Sequence, residues 1–464
     1  MKPPLATILC ALMFLLAMLG VASTAQAASK APRLTGVRCV PTTAKACRDG
    51  VRVSVGKQVQ LRGHGLRRQM RVSFRWPRGA LAAKLARGRL GYTVRIPAGT
   101  ALGRVAVSVL DRGRRSNTRH IRVIAAAPQP RRAATRPGEL PAAFAGNGMW
   151  VWYVSKSDGG NLDVIASRAG AAGMSTVFVK SADGANVWSQ FSPQLVAALR
   201  ARGLRVCAWQ FVYGDDPLAE ARAAIASIAA GAECFVIDAE TAYEGHYAAA
   251  QRYMAALRGA VGPDYPIGFT SFPYVDYHPR MPYSVFLGPG GAQANMPQVY
   301  WKAIGGTVDA VSAKTVANNR IYRVPIAPIG QSYAAPPAAD VRRFRAIWDG
   351  YGAGGMSWWS WQASSGATWA VLSEPAPAPV ILPDPGWPAL RTGSSGDQVI
   401  WLQQHLASAD PSVALDGRFS LGTTAALKTF QAGRGLAPTG ETDAATWQAL
   451  LAVPLRPVDW QAGG

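Results

Sequence analysis

The segment Phe235-Val236-Ile237-Asp238-Ala239-Glu240 carries two carboxylates two residues apart at the end of an apolar run. Side chains alternate along an extended chain, so Asp238 and Glu240 project to the same side. Two carboxylates so close cannot both ionise freely, and one is expected to have a raised pKa and to serve as a proton donor. Glycoside hydrolysis requires that of its general acid. The plainer reading of the same pair is a charge pair or helix cap at a strand-to-helix turn. Tryptophans gather in the same region: Trp150, Trp152, Trp188, Trp209, Trp301, Trp358, Trp359 and Trp361. Flat aromatic faces beside amides and carboxylates suit the C–H faces of sugar rings. Alternation cannot send both Trp358 and Trp359 to one side, so about half of these rings are expected in a cleft and half in the core.

What must position these groups is a run of strands alternating with amphipathic helices. Strands are predicted at 149–154, 176–181, 205–211, 234–240, 267–272, 297–301, 325–330 and 356–361, with helical patterns such as SPQLVAALRARG and AADVRRFRAIWDGYG between them. Several of the strands are apolar throughout, as parallel strands covered on both faces are. Eight such units predict a (β/α)8 TIM barrel over 145–372, with a doubly wound sheet as the alternative. Barrel enzymes carry their sites at the C-terminal ends of the strands. Those ends nominate Asp238, Glu240 and Tyr300 for chemistry. Trp152, Lys180, Asp183, Gln210, Tyr274, Gln298, Trp301, Gln331 and Trp361 are the candidates for substrate binding.

Around this block the 464-residue chain divides further. Residues 1–27 have a basic start, an apolar run and the ending Ala25-Gln26-Ala27, the pattern of a secretory signal peptide. The mature protein is therefore expected to be secreted, extracellular or cell-wall associated. Residues 34–124 show six or seven short alternating runs with Gly and Arg between them, which predicts an all-β immunoglobulin-like sandwich. Linkers rich in proline follow at 125–141 and 373–386, expected to be extended and exposed. Residues 387–452 hold three helical patterns and predict a small three-helix domain. The formal charge of +23 is concentrated in 29–136, where 26 Lys and Arg stand against Asp49 and Asp111. Such a region suits anionic wall polymers or a membrane surface; export argues against nucleic acid. Cys39 and Cys47 bracket a short loop and are a predicted disulfide, while Cys207 and Cys234, on successive strands, are either bridged or two buried thiols. Scattered histidines, with no HExxH, paired His/Cys spacing, GxSxG, P-loop or GxGxxG, leave no call for a metal or cofactor.

Three resemblances sharpen these expectations. The pattern Leu390-Arg391-x-Gly393-x-x-Gly396-x-x-Val399-x-x-Leu402-Gln403-x-x-Leu406, followed by Asp416-Gly417-x-Phe419, Phe430-Gln431, Gly435-Leu436 and Thr446-Trp447, resembles the type 1 peptidoglycan-binding domain. Ser420 and Asp443 stand where that family usually has glycine. The Asp238-x-Glu240 motif is similar to that of family 25 lysozymes and, more loosely, of family 18 chitinases, and Met296-Pro297-Gln298-Val299-Tyr300-Trp301 offers Tyr300 where family 18 has a sixth-strand tyrosine. The Asp-Gly lead-in of chitinases and the early Asp of family 25 are absent. That resemblance implies Glu240 as proton donor and Asp238 as the group that orients a substrate N-acetyl group. The N-terminal block resembles immunoglobulin-like domains of the IPT/TIG sort through Leu61-Arg62-Gly63-His64-Gly65-Leu66. Together these predict a secreted glycoside hydrolase acting on peptidoglycan or a related N-acetyl-hexosamine polysaccharide. The alternative is a non-catalytic polysaccharide-binding protein with an inactive barrel.

Overall fold

The computed structural model describes residues 31–39, 52–54, 58–88, 91–97, 100–101, 103–124 and 138–461. The signal-peptide segment, the first linker through residue 137 and Cys47, hence the Cys39–Cys47 pairing, lie outside the described residues. Two compact units divide the chain at Arg132 and Ala133.

The first unit is all-β. Strands β1 (Arg33–Cys39), β2 (Arg52–Ser54), β3 (Gln58–His64), β4 (Arg71–Trp76) and β5 (Gly79–Lys84) are followed by β6 (Ala86–Gly88), β7 (Gly91–Arg95), β8 (Gly103–Asp111), β9 (Arg114–Arg115) and β10 (Arg119–Ile124). They form one sheet in the order β1-β3-β7-β6 and another in the order β2-β10-β8-β4-β5, with β9 paired to β8. Alternating residues such as Val59, Leu61, Val72, Phe74, Val105, Val107, Ile121 and Val123 are buried in a single shared core. Arg71, Arg75, Arg104 and Arg122, at positions of opposite parity, are exposed, in keeping with the period-2 pattern of a half-buried sheet.

The second unit is built on a curled, parallel, TIM-like sheet. Its strands are β11 (Gly146–Val151), β12 (Met174–Asp183), β14 (Arg205–Val212), β15 (Phe235–Ala239), β16 (Ile267–Thr270), β17 (Ala294–Asn295), β18 (Gln298–Val299), β19 (Ile329–Gln331) and β20 (Gly355–Trp359), with β13 (Asn186–Val187) as a hairpin on β12. The hydrogen-bonded path runs β17-β16-β15-β14-β12-β11-β20-β19-β18. Its two ends, β17 and β18, are halves of one strand interrupted at Met296-Pro297, where the imino acid has no N–H to give to a ladder. Met296 N–H still reaches the Phe269 carbonyl at 2.7 Å and Gln298 N–H the Ser271 carbonyl at 3.0 Å, both next to β16. Helices α1 (Leu162–Ala171), α2 (Pro193–Arg200), α3 (Pro217–Ala229), α4 (Tyr247–Val261), α5 (Tyr283–Phe286), α6 (Trp301–Ile304), α7 (Val308–Asn319), α8 (Ala338–Gly350) and α9 (Gly366–Leu372) connect the strands. Along each strand one set of side chains packs outward under these helices. The other set fills an inner cluster containing Phe144, Trp150, Phe178, Trp209, Val236 and Ile329. Cys207 and Cys234 face that interior from β14 and the start of β15 and are joined by a disulfide.

Three C-terminal helices, α10 (Asp397–Ala409), α11 (Leu421–Gly433) and α12 (Ala444–Leu451), belong to the same compact unit. Ser420 and Asp443 cap two of them: the Ser420 hydroxyl accepts from Thr423 N–H at 3.2 Å and the Asp443 carboxylate from Thr446 N–H at 2.7 Å. Helix capping is a sufficient reason for these residues to stand where glycine is usual. The proline-rich segment before α10 has no helix or strand and is laid against the sheet's helices. Val380 N–H donates to the Ala346 carbonyl on α8 at 2.9 Å. Arg320 pairs with Asp384 and covers the Trp387 ring at 4.3 Å. Helix α10 itself packs on α5 and α7. The carboxylate of its first residue, Asp397, accepts the Ser284 N–H at 2.8 Å, the Ser284 hydroxyl at 2.6 Å and the Tyr322 hydroxyl at 2.7 Å. Trp401 Nε1 donates to the Ile321 carbonyl at 2.9 Å. No helix among the described residues is long and apolar enough to cross a membrane.

Candidate functional site

Alternation on β15 sends Val236 and Asp238 to the interior, while Phe235, Ile237 and Ala239 pack outward. Glu240 follows at the rim, half buried. Gln298 projects inward from β18 and its amide nitrogen bridges the pair, donating to Glu240 Oε1 at 2.9 Å and to Asp238 Oδ1 at 3.3 Å. Asp238 is 5 % exposed. Burial pushes its carboxyl well above the ordinary aspartate range; the Glu240 charge adds to this and the Lys180 ammonium opposes it. Tyr300, two residues beyond Gln298, is half buried beside both acids, and desolvation followed by their charge pushes its phenol up. Its ring meets Tyr333 edge-on at 5.4 Å.

Lys180 stands on the inward face of β12, 3 % exposed. Its ammonium lies 4.7 Å from the Trp188 ring centre, 4.9 Å from Trp209 and 5.1 Å from Trp152. The negative faces of three indoles and an ion pair to Asp183 hold this charge in place. Asp183 in turn accepts the Tyr213 hydroxyl at 2.7 Å, and that bond is the first cause of a phenol pushed up to about 12. The turn bearing Tyr213 is fixed by buried Glu220, which accepts the Tyr213 N–H at 2.8 Å. Gln190 ties the first two strand ends together, donating to the Trp152 carbonyl at 2.7 Å and the Lys180 carbonyl at 2.9 Å. Trp359 completes the wall, 5.3 Å from Trp209 and 5.7 Å from Trp152. Trp152 itself is 37 % exposed and, with Tyr213, is one of the two aromatic rings of the site most open to a ligand.

The structure therefore brings together Asp238, Glu240, Gln298, Tyr300, Lys180, Asp183 and Trp152. Other candidates are elsewhere. Gln210 alternates with inward Trp209 and Phe211, so it faces outward, where its amide donates to the Gly184 and Glu220 carbonyls and accepts the Tyr253 hydroxyl. Trp301 is also on an outward position, 1 % exposed, bonded through Nε1 to Asp340 and stacked on Phe344. Trp361 is 3 % exposed, donates to Asp158 and packs on Trp369. Gln331 is fully buried and accepts the Lys302 and Ala303 N–H groups at the start of α6. Tyr274 lies under the Lys314 ammonium, with no described contact to either acid. Tyr213, Gln190, Trp188, Trp359 and Tyr333 join the site without having been named as ligand-binding candidates. For Trp359 the signal is in Ser357-Trp358-Trp359: Ser357 faces inward, where it accepts from Trp150 Nε1, so Trp359 does too. Gln190 and Tyr213 sit in loops, whose course no periodicity reports.

Comparison with known proteins gives one family match. Residues 395–450 match the family described as "Putative peptidoglycan binding domain". They comprise α10 to α12. No curated protein matches the chain. Among solved structures, a family 39 glycoside hydrolase from Bacteroides cellulosilyticus WH2 aligns at 12 % identity and TM-score 0.38, over 73 % of this chain and 81 % of that one. A class V chitinase from Pseudomonas fluorescens Pf-5 aligns at 11 % identity and TM-score 0.39, over 49 % and 98 %. The Bacillus cereus spore cortex-lytic enzyme SleL aligns at 11 % identity and TM-score 0.36, over 55 % and 76 %.

Proposed function

We propose that the protein is an exported, cell-wall-associated glycoside hydrolase acting on peptidoglycan or a related N-acetyl-hexosamine polysaccharide, with its site at the mouth of a (β/α)8 barrel. The observation that carries this reading is the carboxylate pair Asp238 and Glu240, bridged by the Gln298 amide and facing a tryptophan wall. A peptidoglycan-binding domain in the same compact unit supports the choice of polymer. That domain and the Cys207–Cys234 disulfide point to a cell-wall or extracellular setting. The immunoglobulin-like character of the first unit belongs to the same reading.

In this mechanism a sugar ring lies against Trp152 and Trp359. Burial biases Asp238 toward holding the pair's proton; passed to Glu240, nearer the rim, that proton is delivered to the glycosidic oxygen as the bond breaks, and Asp238 is left as the carboxylate. Asp238 and Tyr300 hold the substrate's N-acetyl group so that its carbonyl oxygen attacks the anomeric carbon; a water then displaces that oxygen from the anomeric carbon and gives its proton back to Glu240, so no separate enzyme nucleophile is needed. The test is reducing-end release from purified peptidoglycan and N-acetylglucosamine oligomers by the wild type and Glu240→Gln. Release by the wild type alone is expected, with both forms still sedimenting with the wall. Equal release by both removes Glu240 from the role; release by neither, with binding retained, assigns the chain a wall-binding function instead.

A further inference from the structure

Asp238 has unlike neighbours on its two sides. In the register of the sheet it stands opposite Phe211 on β14 and opposite Thr270 on β16. Residues paired in this way on adjacent strands point to the same face. Ile267 and Phe269 pack outward under the helices, and a side chain at Gly268 would meet Met296 and Phe144 of the inner cluster, so Thr270 points inward like Asp238. Adjacent strands lie about 4.8 Å apart, which puts the threonine hydroxyl and the aspartate carboxyl within a side-chain rotation of a hydrogen bond.

Thr270 is fully buried, and its hydroxyl has no hydrogen-bond partner. A hydroxyl sealed from water without a partner costs stability that a valine of the same shape would not. Such a group is accounted for if its partner forms in another state of the site, and the adjoining carboxyl has that state. Among the described residues the Gln298 amide alone donates to Asp238, at Oδ1. The titratable groups around Asp238 are Glu240 at the end of its own strand, Lys180 and Asp183 on β12, and the Tyr300 phenol after β18. Lys180 is the cation among them, and it is already paired with Asp183. Delivery of the pair's proton to a glycosidic oxygen leaves Asp238 ionised, buried and beside a second carboxylate. One amide shared with Glu240 is thin support for that charge.

We propose that the Thr270 hydroxyl is the donor reserved for ionised Asp238, which makes Thr270 a positioning residue for the site. Its kinetic consequence rests on the glycosidase reading; the hydrogen bond itself does not. No covalent bond at Thr270 changes. The hydroxyl keeps its proton, turns it toward an Asp238 oxygen while the pair's proton is away, and releases that oxygen once the attacking water has given a proton back to Glu240. With one oxygen held from the inner side, the other is left facing the substrate's N-acetyl group.

The test follows Asp238 itself, by NMR titration of the whole chain labelled at its aspartate carboxyl carbons, with the resonance assigned by its loss in Asp238→Asn. Thr270→Val removes the donor of the ionised form and keeps the shape, so the Asp238 midpoint is expected to move up by about one pH unit. Thr270→Ser keeps the hydroxyl and should restore most of that displacement. In reducing-end release from peptidoglycan, Thr270→Val should lower kcat about ten-fold with KM unchanged, the equivalent of that displacement, and the serine variant should recover it. In urea unfolding at acid pH, where Asp238 is protonated, the valine variant is expected to be at least as stable as the wild type, because it loses an unpaired hydroxyl. Thr270→Ala carries the same comparison should the valine variant fail to fold. An Asp238 midpoint that is unchanged in Thr270→Val, or displaced equally by Thr270→Ser, overturns the proposal whether or not the protein cuts peptidoglycan. A displaced midpoint in a protein that releases no reducing ends supports the hydrogen bond and removes the glycosidase reading.

Discussion

Asp238 is buried between a carboxylate that raises its pKa and a caged ammonium that lowers it. Removing the ammonium has a definite sign. In Lys180→Met the Asp238 pKa rises further, the proton is retained to higher pH, and the alkaline limb of the pH–rate profile is expected to move upward. A limb that stays in place would detach Lys180 from Asp238. The inward course of Asp238 was readable from the sequence, because period-2 alternation on an apolar strand has one buried answer. Alternation also accounts for Gln210: with Cys207, Trp209 and Phe211 on one face of Arg205–Val212, Gln210 belongs to the other. Its carboxamide serves Gly184, Glu220 and Tyr253 rather than a ligand, so Gln210→Leu is expected to cost about 2 to 3 kcal/mol in urea unfolding, by orphaning buried partners. Sugar binding should be unchanged.

At the scale of elements, strands and helices were legible wherever hydrophobic period and length agreed, from Met174–Asp183 through Tyr247–Val261 to Asp397–Ala409. The sixth strand was harder to read. Expected at 297–301, it is split by Met296-Pro297 into two pairs of residues, Ala294–Asn295 and Gln298–Val299, each bonded to a different neighbour, and a helix already begins at Trp301. Outward tryptophans mark the limit of composition as a guide. Trp301 and Trp361 have the chemistry of sugar platforms, yet both are sealed under helices with their indole N–H groups bonded to Asp340 and Asp158. Trp301→Ala is therefore expected to lower stability by about 3 to 5 kcal/mol, measured by thermal or urea unfolding. Trp152→Ala, at a half-open ring, should leave stability nearly unchanged and weaken oligosaccharide binding instead.

At the scale of the whole molecule, the C-terminal helices were legible as a module but their attachment was not, since the residues that dock them, Asp397, Gln398 and Trp401, fall at positions the module's pattern leaves open. Asp397 is the clearest case. It is fully buried between the module and the sheet's helices, and burial raises its pKa from 3.8 to about 6. Between those values the unfolded chain releases the proton while the folded protein keeps it, so the contribution of Asp397 to stability is full below about pH 4 and is lost as pH rises toward 6. The displacement corresponds to about 3 kcal/mol. The stability difference between wild type and Asp397→Asn, followed by urea unfolding from pH 4 to pH 7, is expected to shrink by roughly that amount. A difference that does not change with pH would mean that Asp397 titrates normally.

The proline-rich segment pinned by Ala346 and Arg320 has a geometric consequence. A loose tether would let a wall anchor and a cleft sample many separations, and the gain would depend only on local concentration. Here the anchor and the cleft are parts of one solid body. On the proposed function, a polymer held by the module would meet the Asp238 and Glu240 cleft at one offset and one heading, like stock clamped against the fence of a saw. Products cut from a regular glycan should then cluster at a preferred length instead of scattering, and cutting the strap between Pro377 and Pro383 should leave that length unchanged as long as α10 stays seated.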